Sequence, residues 1–521
     1  MLRRLAAETF EVLVIGGGAT GLGIAVDASS RGYRTLLLEA HDFAQGTSSR
    51  STKLVHGGVR YLEQLNFSLV MEALRERGIL YENAPHLVHN LGFVVPRYKW
   101  WEGPFYGVGL KLYDALAGKQ NLSPSRGLDR EETVAAIPNV EQEDLLGGIM
   151  YHDAQFDDAR MAVTLALTAA DQGAVLLNGM EVVELIKSGG ATGQTSGVVA
   201  RDGLDGATHR VLARVVINAT GIFADDVRRL DEPDAAPMTS PSQGVHLVLD
   251  RSFQPGPNAI MVPQTDDGRV LFVIPWHDRV LVGTTDTPMR EADLEPRALP
   301  EEVEFILRNA GRYMAKDPTR ADVLSVFAGQ RPLIRAEGEE GKKLSREHGV
   351  FVSTSGLVTI LGGKWTTYRK MAEDTLTDAI QVGGLRPRPC VTETLRLHGW
   401  VGRDDPAMPD DDTMRVYGVD ASQVAALARE KADWNEPLHP DLPYRGIHVV
   451  WAARQEMARG VEDVLSRRTR ALLLNARASV EAAPRVASLL AREWGHDERW
   501  AEEQVRAYAS LAAGYQLAGG G

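Results

Sequence analysis

The sequence predicts an α/β chain: a doubly wound domain, an inserted domain of antiparallel sheet, and a helical C-terminal domain. Three observations carry this. Residues 10–38 spell a strand, a helix and a second strand around a glycine loop. Residues 242–290 change to short strands joined by tight turns, and beyond residue 389 no strand pattern returns. At 521 residues the chain is also longer than one compact core usually fills.

Taken in order, residues 10–15 (FEVLVI) are a buried-strand run stopped by three glycines. A helix pattern from Ala19 to Arg31 closes at Gly32, a C-cap signal, and residues 33–38 form a strand that ends at Glu39. This is one βαβ unit, the start of a doubly wound sheet. Residues 40–60 are polar and glycine-rich, 66–82 read as an amphipathic helix, and 85–125 loosen into prolines, aromatics and basic residues. A helix near 159–172, a strand near 174–177 and a strand at 214–218 (RVVIN) resume the alternation. GVHLVLD, RVLFVIP and RVLVGTT then read as antiparallel strands, the last two joined by a tight turn at His277-Asp278. Strands at 350–352 and 357–361 lead into Gly362-Gly363-Lys364 and a helix from Thr366 to Val382. After the Pro/Arg-rich stretch 385–389, helices and loops run to about 518.

Composition is that of a globular protein, 44% hydrophobic and 24% charged. The single cysteine, Cys390, excludes an intramolecular disulfide framework and a Cys-ligated iron–sulfur cluster, and fits a reducing compartment. A formal charge of -13 disfavours a nucleic-acid partner. No window is apolar enough for a spanning helix, and the N-terminal apolar run belongs to the fold, so no signal peptide is read. The localisation expected is cytoplasmic, with membrane contact only peripheral, on the inner face of the cell membrane. No metal-ligand spacing is present, so no metal is expected.

Gly16-Gly17-Gly18-Ala19-Thr20-Gly21 stands between strand and helix. Gly16 permits the tight turn, Gly18 lets a pyrophosphate approach the helix N-terminus, and Gly21 allows close helix–strand packing. Glu39 occupies the place of the acid that binds an adenosine ribose hydroxyl, which points to a dinucleotide without a 2′-phosphate. The N-terminal position, the long polar loop and the late Gly-Gly segment look like a glutathione-reductase-type FAD fold.

Further runs are specific. Thr47-Ser48-Ser49, Lys53-Leu54-Val55-His56-Gly57-Gly58-Val59-Arg60-Tyr61-Leu62, Asn218-Ala219-Thr220-Gly221, Gly283-Thr284-Thr285-Asp286, Gln330-Arg331-Pro332-Leu333 and Gly362-Gly363-Lys364-Trp365-Thr366-Thr367-Tyr368-Arg369 resemble, in order, the signatures of FAD-linked glycerol-3-phosphate dehydrogenases. Val464-Leu465-Ser466-Arg467-Arg468-Thr469-Arg470 resembles the last domain of that family, so the resemblance spans nearly the whole chain. It implies a Rossmann-like FAD domain built from residues 1–85, 150–225 and 320–385. It also implies an inserted substrate or cap domain from 86–149 and 226–319, and a helical C-terminal domain at 390–521. The lone cysteine argues against the relative with an added iron–sulfur domain.

The implied reaction oxidises sn-glycerol 3-phosphate to dihydroxyacetone phosphate, hydride passing from C2 to flavin N5 and electrons then to a membrane quinone or to oxygen. A dianionic phosphate calls for fixed cations. Arg60, Arg331 and Arg346 stand where the family places substrate arginines, with Tyr61 and Lys364 as further donors. The C2 hydroxyl needs a general base, and histidine is the default. His246, on the GVHLVLD strand, and His56, in the glycine-flanked loop implied to lie by the isoalloxazine, are both candidates. Arg331 can instead stabilise the developing alkoxide, so the base stays open. Thr47, Ser48, Ser49, Lys53, His56, Gly57, Gly58, Thr220, Gly221 and Thr366 are implied cofactor contacts. Gly362, Gly363 and Lys364, opening a helix, can supply N–H groups and positive charge to a reduced flavin.

Residues 97–113 combine Arg97, Lys99, Trp100 and Trp101 with Phe105, Tyr106 and Tyr113, a composition suited to a membrane interface or to ordinary packing. A homodimer is left open. Rival readings are a flavoenzyme for an amino or 2-hydroxy acid, a non-catalytic flavoprotein, and an NAD-dependent dehydrogenase; the repeated cationic residues favour a phosphate substrate.

Overall fold

A computed structural model describes residues 2–59, 66–190, 193–335 and 347–517. Two sheets and a helical C-terminal region make up the architecture. The first sheet runs in the order His348–Val352, Val358–Gly362, Thr208–Asn218, Phe10–Ile15, Thr35–Leu38, Val175–Leu177. All neighbours are parallel except the outermost pair, His348–Val352 with Val358–Gly362. Alternation along Phe10–Ile15 divides its side chains between two faces. Val12 and Val14 pack with Leu22, Ile24, Leu165 and Leu376 from the helices Ala19–Ser30, Asp158–Asp171 and Tyr368–Val382. Leu13 and Ile15 face the other way, onto a hairpin of Met180–Ser188 and Gln194–Asp202 that extends from Thr208–Asn218.

The ten-stranded second sheet is antiparallel except where Ala259–Val262 runs parallel to Val88–Arg97. Its axis is Thr239–Asp250, flanked by Val323–Ile334 and by Arg279–Gly283. Period two again sorts the side chains: Val245, Leu247 and Leu249 meet Val303 and Ile306 of helix Pro300–Gly311. Val248, with Phe327 of the neighbouring strand, joins the core of the C-terminal helices Gly446–Gln455 and Ala476–Trp494. The register sets His246 opposite Phe327 on one side and Gly283 on the other, and Ser242 opposite Arg331.

Residues 85–125, which read as loosely patterned, contain the ten-residue strand Val88–Arg97 and the helix Glu102–Ala117. The strand is buried without a break from Leu91 to Pro96, so it shows no alternation. Pro96 is tolerated because the parallel neighbour stops at Val94. In the helix, Pro104 falls in the first turn, where its missing N–H has no intrahelical partner to lose. Strands Gly147–Phe156 and Val323–Ile334 belong to the second sheet, so residues numbered with the expected cofactor segments contribute to the sheet that builds the substrate side.

Candidate active site

The chain leaves Phe10–Ile15 through Gly16, at φ +107°, and enters helix Ala19–Ser30. A Cβ on Gly16 would stand 2.7 Å from the Ala219 carbonyl oxygen, and one on Gly21 1.9 Å from that of Gly16. Both close approaches require glycine. Gly18 caps the helix with no side-chain bond, so the N-terminus opens onto a cleft of about 560 Å³ lined by Gly16, Gly18, Glu39, Thr47, Ser48, Thr220, Gly221, Gly362, Gly363 and Lys364. Ser48 Oγ accepts one amide of that turn, from Ala19, at 2.9 Å. Glu39 Oε2 accepts from the Gly17 N–H at 2.6 Å and Oε1 from the His41 N–H at 2.8 Å. Burial pushes this carboxyl above its usual range, against those two amides. A helix N-terminus for a pyrophosphate, a terminal acid for a ribose, and a second Gly-Gly turn with φ +74° and +82° opening on Lys364 fit an extended FAD.

A second cavity, about 300 Å³, shares the walls Thr47, Pro332, Gly363, Lys364 and Trp365 with the first. His56, Gly58, His246, Arg331 and Thr366 line it. His246 is 2% exposed and stacked on Phe327, ring centroids 4.9 Å apart. A Cβ on Gly283 would enter its ring at 2.3 Å. Burial, then the charges of Lys53 and Arg331, hold the imidazole well below its usual pKa, so it is neutral near pH 7. Its Nε2 lies 3.0 Å from Thr52 Oγ1, and Thr52 also lines the cavity. Arg331 Nη1 bonds Asp286 at 3.2 Å and Nη2 donates to the Thr285 carbonyl at 3.3 Å. His56 meets Phe272 edge-on at 6.5 Å, and its backbone N–H donates to Thr366 Oγ1 at 3.3 Å.

Thr52 and Arg269 are cavity residues that sequence reasoning missed. Arg269 is tied to Asp267, with its Nη1 3.9 Å from Asp286 and without a hydrogen-bond partner. Its signal is faint, a lone basic residue after the Asp266-Asp267-Gly268 turn.

Four expected cofactor contacts, Gly21, Ser49, Lys53 and Gly57, lie outside the walls of both cavities. The Gly57 N–H donates to the Tyr113 hydroxyl at 2.8 Å, and the Ser49 carbonyl accepts from Lys53. Lys53 is fully buried, its Nζ 2.7 Å from Asp158 Oδ2 and 5.0 Å from the Phe327 ring. At φ +61° it turns inward, beneath the cavity rather than into it. Burial lowers its ammonium to about 8, with Asp158 opposing. Gly21 likewise acts in packing, one layer below the cleft. Arg60, Tyr61 and Arg346 fall outside the described residues.

Residues 11–369 match the family profile described as FAD dependent oxidoreductase, and residues 390–501 that of the C-terminal domain of alpha-glycerophosphate oxidase. The human mitochondrial glycerol-3-phosphate dehydrogenase is 41% identical over 95% of this chain and 72% of its own length. The Arabidopsis thaliana mitochondrial enzyme is 39% identical over 97% and 86%. The structure of the Bacillus halodurans glycerol-3-phosphate dehydrogenase complexed with FAD superposes with a TM-score of 0.80 at 32% identity, covering 98% of this chain and 96% of that one. With the cleft built for an extended dinucleotide and both halves of the chain matched in order, this chain belongs to the FAD-dependent oxidoreductases, in the glycerol-3-phosphate dehydrogenase family.

Proposed function

We propose that the chain uses FAD to oxidise sn-glycerol 3-phosphate to dihydroxyacetone phosphate and passes the electrons to a quinone. The observation that carries this reading is the junction of the cofactor cleft with a cavity lined by a neutral histidine, His246, and by Arg269 and Arg331. FAD supplies the hydride acceptor when bound. The glycine loop and Glu39 hold its adenosine half, and Gly362, Gly363, Lys364 and Thr366 its flavin half. Arg331 and Arg269, with Arg60, Tyr61, Arg346 and Lys364 as further donors, neutralise the substrate phosphate. His246, kept neutral, takes the C2 hydroxyl proton in concert with Thr52, while the Arg331 charge steadies the alkoxide as it forms.

The test is the visible spectrum of the purified protein under argon. Loss of the flavin band near ~450 nm on adding sn-glycerol 3-phosphate, but not glycerol, supports the reading. A flavin that stays oxidised refutes the substrate. Oxygen as acceptor is a second reading, favoured by the match of residues 390–501 to an oxidase C-terminal domain. Reoxidation by a soluble quinone against reoxidation by air separates the two.

Quinone reduction needs a route to lipid. Among the described residues no helix is long and apolar enough to cross a membrane. Helix Glu102–Ala117 carries an exposed stripe at helical spacing, Phe105, Val108 and Leu112, beside Trp100, Trp101 and the neighbouring Met71. Trp100 is 80% exposed. This face suits the headgroup region of a bilayer. Co-sedimentation with liposomes that is lost on Trp100→Ser/Phe105→Ser/Val108→Ser supports peripheral docking. A stripe that instead closes a homodimer would show as a change of mass in light scattering.

A further inference from the structure

Loop 40–53 leaves the second strand of the cofactor domain, and its middle, Ala44 to Ser48, lines the larger cleft. Three residues of this loop are held from the C-terminal region. Asp42, 4% exposed, accepts from Arg467 Nε at 2.5 Å and from Arg468 Nη1 and Nη2 at 2.6 and 2.8 Å. The Ser49 carbonyl accepts from Arg470 Nη2 at 2.7 Å. Arg50 lies 3.4 Å from the Tyr515 hydroxyl, and both meet Glu295.

The backbone that delivers these arginines is unusual. Residues Asp463–Arg468 form a π-helix, a wider turn that puts successive residues Arg467 and Arg468 on one carboxylate. Arg470 follows at φ +63°, a left-handed conformation that a non-glycine residue rarely adopts. It reverses direction toward Ser49 and toward Asp158, to which its Nη2 donates at 3.1 Å and which also accepts from Ser51 and Lys53 of the loop, each at 2.7 Å. All three arginines are 1–2% exposed. A core needs none of this: apolar side chains of similar volume would fill the space more cheaply than three desolvated guanidinium groups. What the arrangement supplies is a fixed position for the loop.

We infer that the C-terminal region is a cofactor clamp, in which Arg467, Arg468 and Arg470 act as positioning residues that hold loop 40–53 in the shape that receives FAD. This rests on the FAD reading above and adds to it that affinity for the cofactor is set from the far end of the chain. The loop, pinned at Asp42 and at Ser49, keeps the intervening segment from collapsing into the cleft or swinging away. That segment holds Ser48, whose hydroxyl accepts from Ala19 in the first helical turn and whose carbonyl accepts from Trp365.

The experiment compares FAD binding to stripped apoprotein, read by flavin fluorescence, for wild type, Arg468→Met, Arg470→Met and the double variant Asp42→Asn/Arg468→Met. The double variant removes one charge of each sign, and Arg467 keeps Glu462 and Asp463, each at 2.7 Å, so no buried ion is left unpaired to unfold the protein. Hydrogen exchange on each apoprotein reports residues 42–50. We expect FAD to bind at least about tenfold more weakly in the double variant, with faster exchange confined to that loop. Arg454→Met, a partly exposed ion-pair partner on the same region, should change neither. Unchanged affinity in folded variants overturns the clamp. So does loop exchange that stays slow while affinity falls. A wild type that takes up no FAD fails the cofactor reading instead, and the two failures are told apart by that one control.

Discussion

His277 lies where the second sheet, the cofactor domain and the C-terminal region meet, and replacing it with glutamine should weaken the protein in a pH-dependent way. The residue turns the hairpin between Leu271–Trp276 and Arg279–Gly283 at φ +50°, its ring 4.8 Å from that of Trp276. Nδ1 bonds Asp412 and Nε2 is 3.7 Å from Asp157 Oδ2, with Arg470 on the far side of Asp157 at 3.5 Å. Burial opposes the charged ring, but the Asp157 carboxylate beside it and the bond to Asp412 overcome it and raise the pKa to about 10 from 6.5. A folded-state pKa above the unfolded one means the stabilisation is fully present below about 6.5 and is lost as pH climbs toward about 10. The full displacement sets a ceiling of ~5 kcal/mol. Asp412 is 55% exposed on its side chain, so solvent screens that half of the pair, and about 2–3 kcal/mol is the expected share. For a chain of this size unfolding as one unit, that corresponds to about 2–3 °C in melting temperature. Scanning fluorimetry of wild type and His277→Gln at pH 6 and pH 10 reads it. The net charge of -13 affects both proteins alike, so only their difference matters. A gap that is the same at both pH values would show that His277 contributes by packing alone.

Three further outcomes follow from the site. His246→Asn should slow anaerobic flavin reduction by about 10²–10⁴-fold while FAD content stays normal, and a fall of less than tenfold would move the base elsewhere. Arg269→Met should raise KM for sn-glycerol 3-phosphate about 10- to 100-fold with kcat nearly kept, as for a lost charge-assisted hydrogen bond; an unchanged KM removes it from the phosphate site. Glu39→Gln should weaken FAD binding about tenfold in a fluorescence titration, and equal affinity would show that the acid serves only the turn it caps.

What could be read from residues alone was the part governed by local chemistry. The first βαβ unit follows from an apolar run, three glycines and a terminal acid, each of which acts within a few residues of itself. The hairpin at His277 was legible for the same reason. Val88–Arg97 was not, because a strand buried on both faces and carrying Gly92 and Pro96 has lost the alternation that marks strands. At the site, Gly16, Gly18, Gly58, Gly221, Gly362, Gly363 and His246 came out as cavity walls, whereas Lys53 sits in an equally specific run yet faces Asp158. A motif reports that a position is constrained, not whether the constraint comes from a ligand or from a buried counterion. Arg269 and Thr52 were missed because nothing in their neighbourhood along the chain distinguishes them; the register of the second sheet and the turn before Lys53 bring them to the cavity.

Lys53, Asp158, Arg470, Asp157 and His277 form, in that order, a line of neighbouring charged groups from beneath His246 to the C-terminal region. Each link alone is expensive, since removing either partner strands the other in a low-dielectric interior. The line therefore makes the three structural units interdependent: the C-terminal region cannot come away without taking Arg470 from both Asp157 and Asp158, and Asp158 cannot lose Lys53 without altering the field at His246. A substitution at Arg470, distant along the chain from every expected contact with substrate, should for this reason change both FAD retention and the pH at which flavin reduction falls off. Substitutions of exposed C-terminal arginines such as Arg499 should change neither. If Arg470→Met leaves the pH profile untouched while loosening FAD, the clamp and the electrostatics of the base are separate devices that share only a carboxylate.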